Sequence, residues 1–126
     1  MKEIVIILII IIVVFFANDI SCKYIYNSTN ELINELEEFK IKIIQEKEAQ
    51  TISKINDIDK KWKETKEVLS VFVHHNHIDD VDVNLVAIKA GIEMSEIDNI
   101  MVEIDKTIFA LTDIQEINKL KMKNIF

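Results

Sequence analysis

Apolar and polar positions fall into two regimes along the chain. From Ile4 to Ala17 every residue is apolar, so a helix there has no polar face to turn towards water. Beyond Tyr26 the apolar residues thin to every third or fourth position, and that spacing predicts amphipathic helices. The first opens at Ser28-Thr29-Asn30-Glu31, where Ser28 and Glu31 have capping-box separation, and carries Leu32, Leu36, Phe39 and Ile43. Its stripe runs out at Glu46, Lys47 and Gln50, which places a turn near Glu48 to Thr51. The second helix carries Ile55, Ile58, Trp62, Leu69 and Phe72, with Thr65 in the missing heptad place, and ends in His74-His75-Asn76-His77. Asp79-Asp80 opens the third as an N-terminal cap and dipole pair, followed by Val81, Leu85, Ile88 and Ile92. Ser95 and Asp98 are the expected caps of a fourth helix bearing Ile97, Met101, Ile104, Ile108 and Leu111. The expected helices are about 28–47, 51–75, 80–93 and 95–115, with a tail at 117–126.

Heptad-like recurrence in every segment suits antiparallel helices crossing at shallow angles, and short connections make consecutive helices neighbours. The fold class expected is therefore all-α. An N-terminal hydrophobic membrane helix (1–21) precedes an antiparallel bundle of about four helices with a short C-terminal tail (22–126). Leu36, Phe39, Trp62, Leu69, Leu85 and Ile104 are its expected core. The chain has no proline and one glycine, Gly91, which leaves little of the punctuation that hairpins require. Its length fits one domain.

The apolar run resembles a signal-peptide core by length, since Ile4 to Ala17 reaches about 21 Å as a helix against a hydrocarbon thickness of about 30 Å. Asn18, Asp19 and Ile20 nevertheless occupy the places where a cleavage site wants small residues. Lys2 at one end and Tyr24 and Tyr26 at the other are placed to extend a short span by snorkelling and aromatic anchoring. The reading adopted is an uncleaved signal-anchor formed by Ile4, Ile7, Ile11, Phe15 and Phe16, with a cleaved signal as the alternative. Lys2 and the amino terminus stay inside, which puts the bundle on the extracytoplasmic side of the cytoplasmic membrane. Cys22 follows Asp19-Ile20-Ser21, of which only Ser21 suits a lipobox, and is read as an ordinary juxtamembrane thiol.

Charge narrows the function classes. All fifteen basic residues are lysine and the net charge is −7; without arginine's bidentate grip, nucleic acid is not an expected partner. One cysteine excludes an internal disulfide and a cysteine-cluster metal site. His74, His77 and Asp80 form a candidate metal set if the second helix persists that far. The plainer reading has the imidazoles at a helix C-terminus, favoured by its dipole. Carboxylate pairs such as Glu37-Glu38 read as solvated surface, and there is no phosphate-binding glycine loop, nucleophile elbow or His-Glu-x-x-His. No catalysis and no cofactor are expected. From Asp79 to Glu116 ten acids face two lysines, whereas the tail has Lys119, Lys121 and Lys123 and no acid. That tail either closes the bundle end or docks on a partner or lipid surface through Lys121, Lys123, Ile125 and Phe126.

Taken in order, these segments form a family likeness: the anchor run, the helix start Tyr26-Asn27-Ser28-Thr29-Asn30-Glu31-Leu32, Lys61-Trp62-Lys63, the turn His75-Asn76-His77-Ile78-Asp79-Asp80, and the ending Leu120-Lys121-Met122-Lys123-Asn124-Ile125-Phe126. The chain resembles domain-of-unknown-function family 4363, short proteins of clostridia and related Firmicutes with one N-terminal hydrophobic helix. The resemblance spans nearly the whole chain, and the histidines of the turn depart from it. It implies a bacterial envelope location and brings no catalytic residues. The partners expected are the cytoplasmic membrane and another membrane or envelope protein; no oligomeric state is indicated.

Overall fold

The computed structural model describes residues 1–45 and 48–125, with side chains described for 1–45 and 51–121. Four helices make up the described chain: α1 (Lys2–Ile43), α2 (Glu48–Phe72), α3 (His75–Glu93) and α4 (Ile97–Ile125). No strand occurs among the described residues.

The anchor and the first bundle helix are one element. α1 runs unbroken for 42 residues, about 63 Å at 1.5 Å per residue, so the start expected at Ser28 is corrected. Once a helix exists, extending it by a residue is far easier than nucleating another, and no proline or glycine lies between Lys2 and Ile43 to stop it. Two hydroxyls on either side of the apolar-to-amphipathic change bond back onto the helix itself. Ser21 Oγ donates to the Ala17 carbonyl at 2.8 Å and Thr29 Oγ1 to the Ile25 carbonyl at 2.6 Å, the back-bonding that helices tolerate. Glu31, the expected reciprocal cap, pairs with Lys61 of α2 at 2.7 Å.

Beyond the apolar run α1 buries Cys22, Ile25, Thr29, Leu32, Leu36, Phe39 and Ile43, at spacings of three and four that keep one face towards the bundle. The helices form a ring in which α1 packs on α2 and α4, and α3 packs on the same two. Leu36, Phe39, Trp62, Leu69, Leu85 and Ile104 all lie in its core. α2 and α4 both end beside the point where α1 enters the bundle, the base of the molecule. There the Asn118 amide donates to the Cys22 carbonyl at 3.0 Å and Lys121 Nζ donates to the Phe72 carbonyl. Lys121 thereby satisfies a terminal carbonyl of α2, a position where its charge also suits the helix dipole.

Further element boundaries differ from the sequence expectation. α2 ends at Phe72 and α3 begins at His75, not near Asp80. The N-cap is His74, in extended conformation, whose Nδ1 accepts from the Asn76 N–H at 3.4 Å. The α3–α4 turn is a Schellman motif: Glu96 N–H donates to the Gly91 carbonyl at 3.0 Å and Ser95 N–H to the Ile92 carbonyl at 3.2 Å. Ser95 therefore ends α3 at φ 56° and does not cap α4. Finally, residues 117–125 are not a separate tail, because α4 continues through them. Where the turn near Glu48 to Thr51 was expected, Ile44 and Gln45 form a turn and α2 already begins at Glu48; Glu46 and Lys47 lie outside the described residues.

The buried face of α4 is Ile100, Ile104, Thr107, Leu111, Ile114 and Asn118, not the stripe starting at Ile97. Ile97 is exposed, and Met101 and Ile108 are only partly buried, at the edge of the core. A core threonine hides the register: Thr107 is fully buried and satisfies its hydroxyl on the Glu103 carbonyl at 2.7 Å.

Candidate interaction surfaces

Three features of the surface could meet something outside the chain. The first is the apolar half of α1. Ile4, Ile7, Ile11, Phe15 and Phe16 are all exposed, and none of the most apolar stretch of α1 is buried within the structure. A core helix of a soluble protein would hide that face; here it is exposed. By length and composition α1 is the one described helix able to cross a membrane, a test that a signal sequence also passes. Tyr24 and Tyr26 are exposed just beyond the run. Half-exposed Phe72, at the end of α2, lines an apolar cleft with Val14, Phe15 and Ala17, which brings the α2–α3 turn level with the end of that run.

The second is the histidine turn. His74 caps α3 from outside it and His77 stands in the first turn of α3, so the two are not on one face of a persisting α2. His75 and His77 also lie at a helix N-terminus, opposite to the C-terminal placement expected from the sequence. There a positive imidazole opposes the dipole. His77 Nδ1 lies 3.8 Å from the Asp113 carboxylate of α4. Asp79 and Asp80 sit one turn into α3 and line the groove described next. Among the described residues no three histidine, cysteine or acidic side chains converge as a metal-binding group.

The third is the α3–α4 seam, which differs from the other three in its charges. The α1–α2 seam carries Lys61 between Glu31 and Glu35, with Lys54 near Glu38 at 3.5 Å. Its hydrogen bonds to Glu31 and then Glu35 hold the Lys61 ammonium well above the ordinary lysine range. On the α2–α3 seam Asp59 meets Lys89 at 2.8 Å, and Asp82 accepts from Trp62 Nε1 at 2.7 Å and from Lys66 at 2.6 Å. Burial pushes the Asp59 carboxyl up, but hydrogen bonds from Lys89 and Lys63 and their positive charge outweigh it, leaving its pKa below the usual carboxylate value. Lys40 and Asp105 pair across α1–α4 at 2.7 Å. Across α3–α4, among the described residues, only His77 and Asp113 approach each other.

Along that seam runs a groove of about 600 Å³, lined by Val83, Val102 and Phe109 and flanked by Asp79, Asp80, Asp105 and Asp113. Its apolar residues are 65%, 52% and 73% exposed, and Val86 continues the strip on α3. Apolar periodicity does not reveal this surface, because Val83, Val86, Val102 and Phe109 fall off the buried face. Their signal is in the sequence all the same: four large apolar side chains in the most acidic stretch of the chain.

Of the tail residues singled out for docking, Lys121 is engaged inside the molecule at the Phe72 carbonyl. The side chains of Lys123 and Ile125, and Phe126 altogether, lie outside the described residues.

No curated protein and no solved structure matches the chain. A family model described as a domain of unknown function, number 4363, matches residues 20–125, the whole bundle from the base of α1 to the end of α4. An exposed apolar helix running directly into a four-helix ring is thus the form taken here by a member of that family, and the chain belongs to domain-of-unknown-function family 4363.

Proposed function

We propose that this protein is a membrane-tethered, non-catalytic interaction module, with α1 holding the bundle on the extracytoplasmic face of the cytoplasmic membrane. The observation that carries the reading is the exposed apolar half of α1, continuous with the bundle. Exposing such a surface to water costs about 25 cal/mol per Å², and a hydrocarbon layer relieves the whole of it. The non-catalytic part is supported by how the inter-helix carboxylates are used. Glu31, Glu35, Asp59, Asp82 and Asp105 are taken up in lysine pairs along the seams, not opposed across a cleft as acid–base chemistry needs. Sidedness rests on Lys2 and the amino terminus remaining inside.

The test is the intact mass of the protein from washed membranes and from culture medium, with protease added to spheroplasts. Full-length protein in membranes, its bundle digested from outside, is the expected result. A mature form lacking about the first twenty residues and found in the medium would make this a secreted helical factor. Protection of the bundle in intact spheroplasts would reverse the orientation.

A further inference from the structure

We infer that the α3–α4 groove is the docking site for a basic amphipathic helix of another protein; this rests on the interaction-module reading and gives its partner a chemistry. A small bundle has no structural use for Phe109 at 73% exposure, or for Val83 and Val102 beside it. Scattered exposed apolar residues are ordinary, but a contiguous strip with a polar rim marks an interaction surface. Two antiparallel helices form the walls, and from Val102 to Asp113 the strip extends about 16 Å along α4. That length matches three turns of a third helix, the helix-in-groove mode in which apolar anchors recur every three or four residues.

The rim selects the charge of the occupant. Asp79, Asp80, Asp105 and Asp113 flank the strip, with Lys106 the one lysine among the described residues that line it and His77 beside Asp113. Lys106 is held by Glu103 at 3.2 Å, and Asp105 is shared with Lys40. Asp79 and Asp80 have no ion-pair partner among the described residues. The other three seams satisfy their carboxylates with lysines of the facing helix; across this one only Asp113 meets a facing side chain, that of His77, and Asp79 and Asp80 are left outward. Lysines on an incoming helix would supply the missing cations, steering association and fixing its register. An acidic or neutral helix would meet like charge or leave these acids partly desolvated.

The experiment uses the full chain in phosphatidylcholine nanodiscs, with empty nanodiscs as the blank. The probe is a fluorescein-labelled lysine–leucine amphipathic peptide about fourteen residues long, and its glutamate–leucine counterpart is the control. Anisotropy is expected to show the basic peptide binding at least about tenfold tighter. Phe109→Asp, and separately Asp79→Asn with Asp80→Asn, should each weaken binding at least about fivefold and leave the thermal melt unchanged, because these side chains lie on the surface. Equal affinity for the two peptides, or binding indifferent to Phe109→Asp, would overturn the proposal. So would light scattering showing that the chain dimerises through Phe109, which would make the groove an interface between copies. Membrane retention is measured on the same variants. If retention holds and peptide binding fails, the groove assignment alone falls; loss of retention in the parent chain removes the tether reading instead.

Discussion

Ser95 adopts φ 56°, a left-handed conformation that costs a residue with a Cβ about 1 kcal/mol or more. The Schellman bonds from Ser95 and Glu96 hold it there. Ser95→Gly is therefore expected to stabilise the protein by about 1 kcal/mol, seen as a higher urea midpoint with an unchanged slope. The other telling residues are polar ones in the core. Thr29 and Thr107 are fully buried and bond to carbonyls of their own helices, so neither needs a partner across the core. A hydroxyl that turns back on its own helix looks, in the sequence, like a cap or a gap in the stripe. Ser28, next to Thr29, has the spacing of a cap with Glu31, and Thr107 interrupts the apolar stripe of α4, which is why the start of α1 and the register of α4 were not legible. The residues that were legible, Leu36, Phe39, Trp62, Leu69, Leu85 and Ile104, have no such alternative use. Even Trp62 reveals only half its role that way, since its bond to Asp82 depends on how α2 meets α3.

Two contacts govern how the elements fit. Gly91 lies in α3 where an added Cβ would stand 2.7 Å from Ile100 Cγ1 of α4. Alanine is the better helix former by about 1 kcal/mol, but Ile100 is buried and its Cγ1 is fixed close to the backbone. Gly91→Ala is expected to cost about 1–3 kcal/mol, and in an Ile100→Ala background the same change becomes neutral or stabilising. A double-mutant cycle by denaturant unfolding checks the sign; equal cost in both backgrounds would rule out the close approach. The α2–α3 contact predicts a pH effect. Asp59 has its pKa depressed in the folded protein by Lys89 and Lys63, so its stabilisation is present above the unfolded aspartate value of about 3.9. It is lost as the pH falls below that value through the folded pKa. Unfolding free energies at neutral pH and near pH 3 should therefore converge more in Asp59→Asn than in the parent chain.

At the scale of the molecule, the four helices of the bundle were legible because apolar periodicity depends only on local spacing. The α3–α4 groove was not, since it arises from which helices become neighbours and which seam lacks lysine pairs between its helices. The continuity of α1 was hidden for a similar reason: the polar stretch Asn27 to Asn30 reads as a boundary, but nothing in it prevents a helix already under way. That continuity couples the two ends of the protein as a shaft couples a propeller to its engine. No swivel separates Ala17 from Cys22, so the heading of the bundle is set by how the apolar segment is seated. One residue inserted there would swing the bundle by about 100° about the shaft and lift it by about 1.5 Å. Four would nearly restore its bearing one turn higher. On the tethered reading proposed above, a partner fixed in the same membrane would find the acidic groove at only certain phases of the helix.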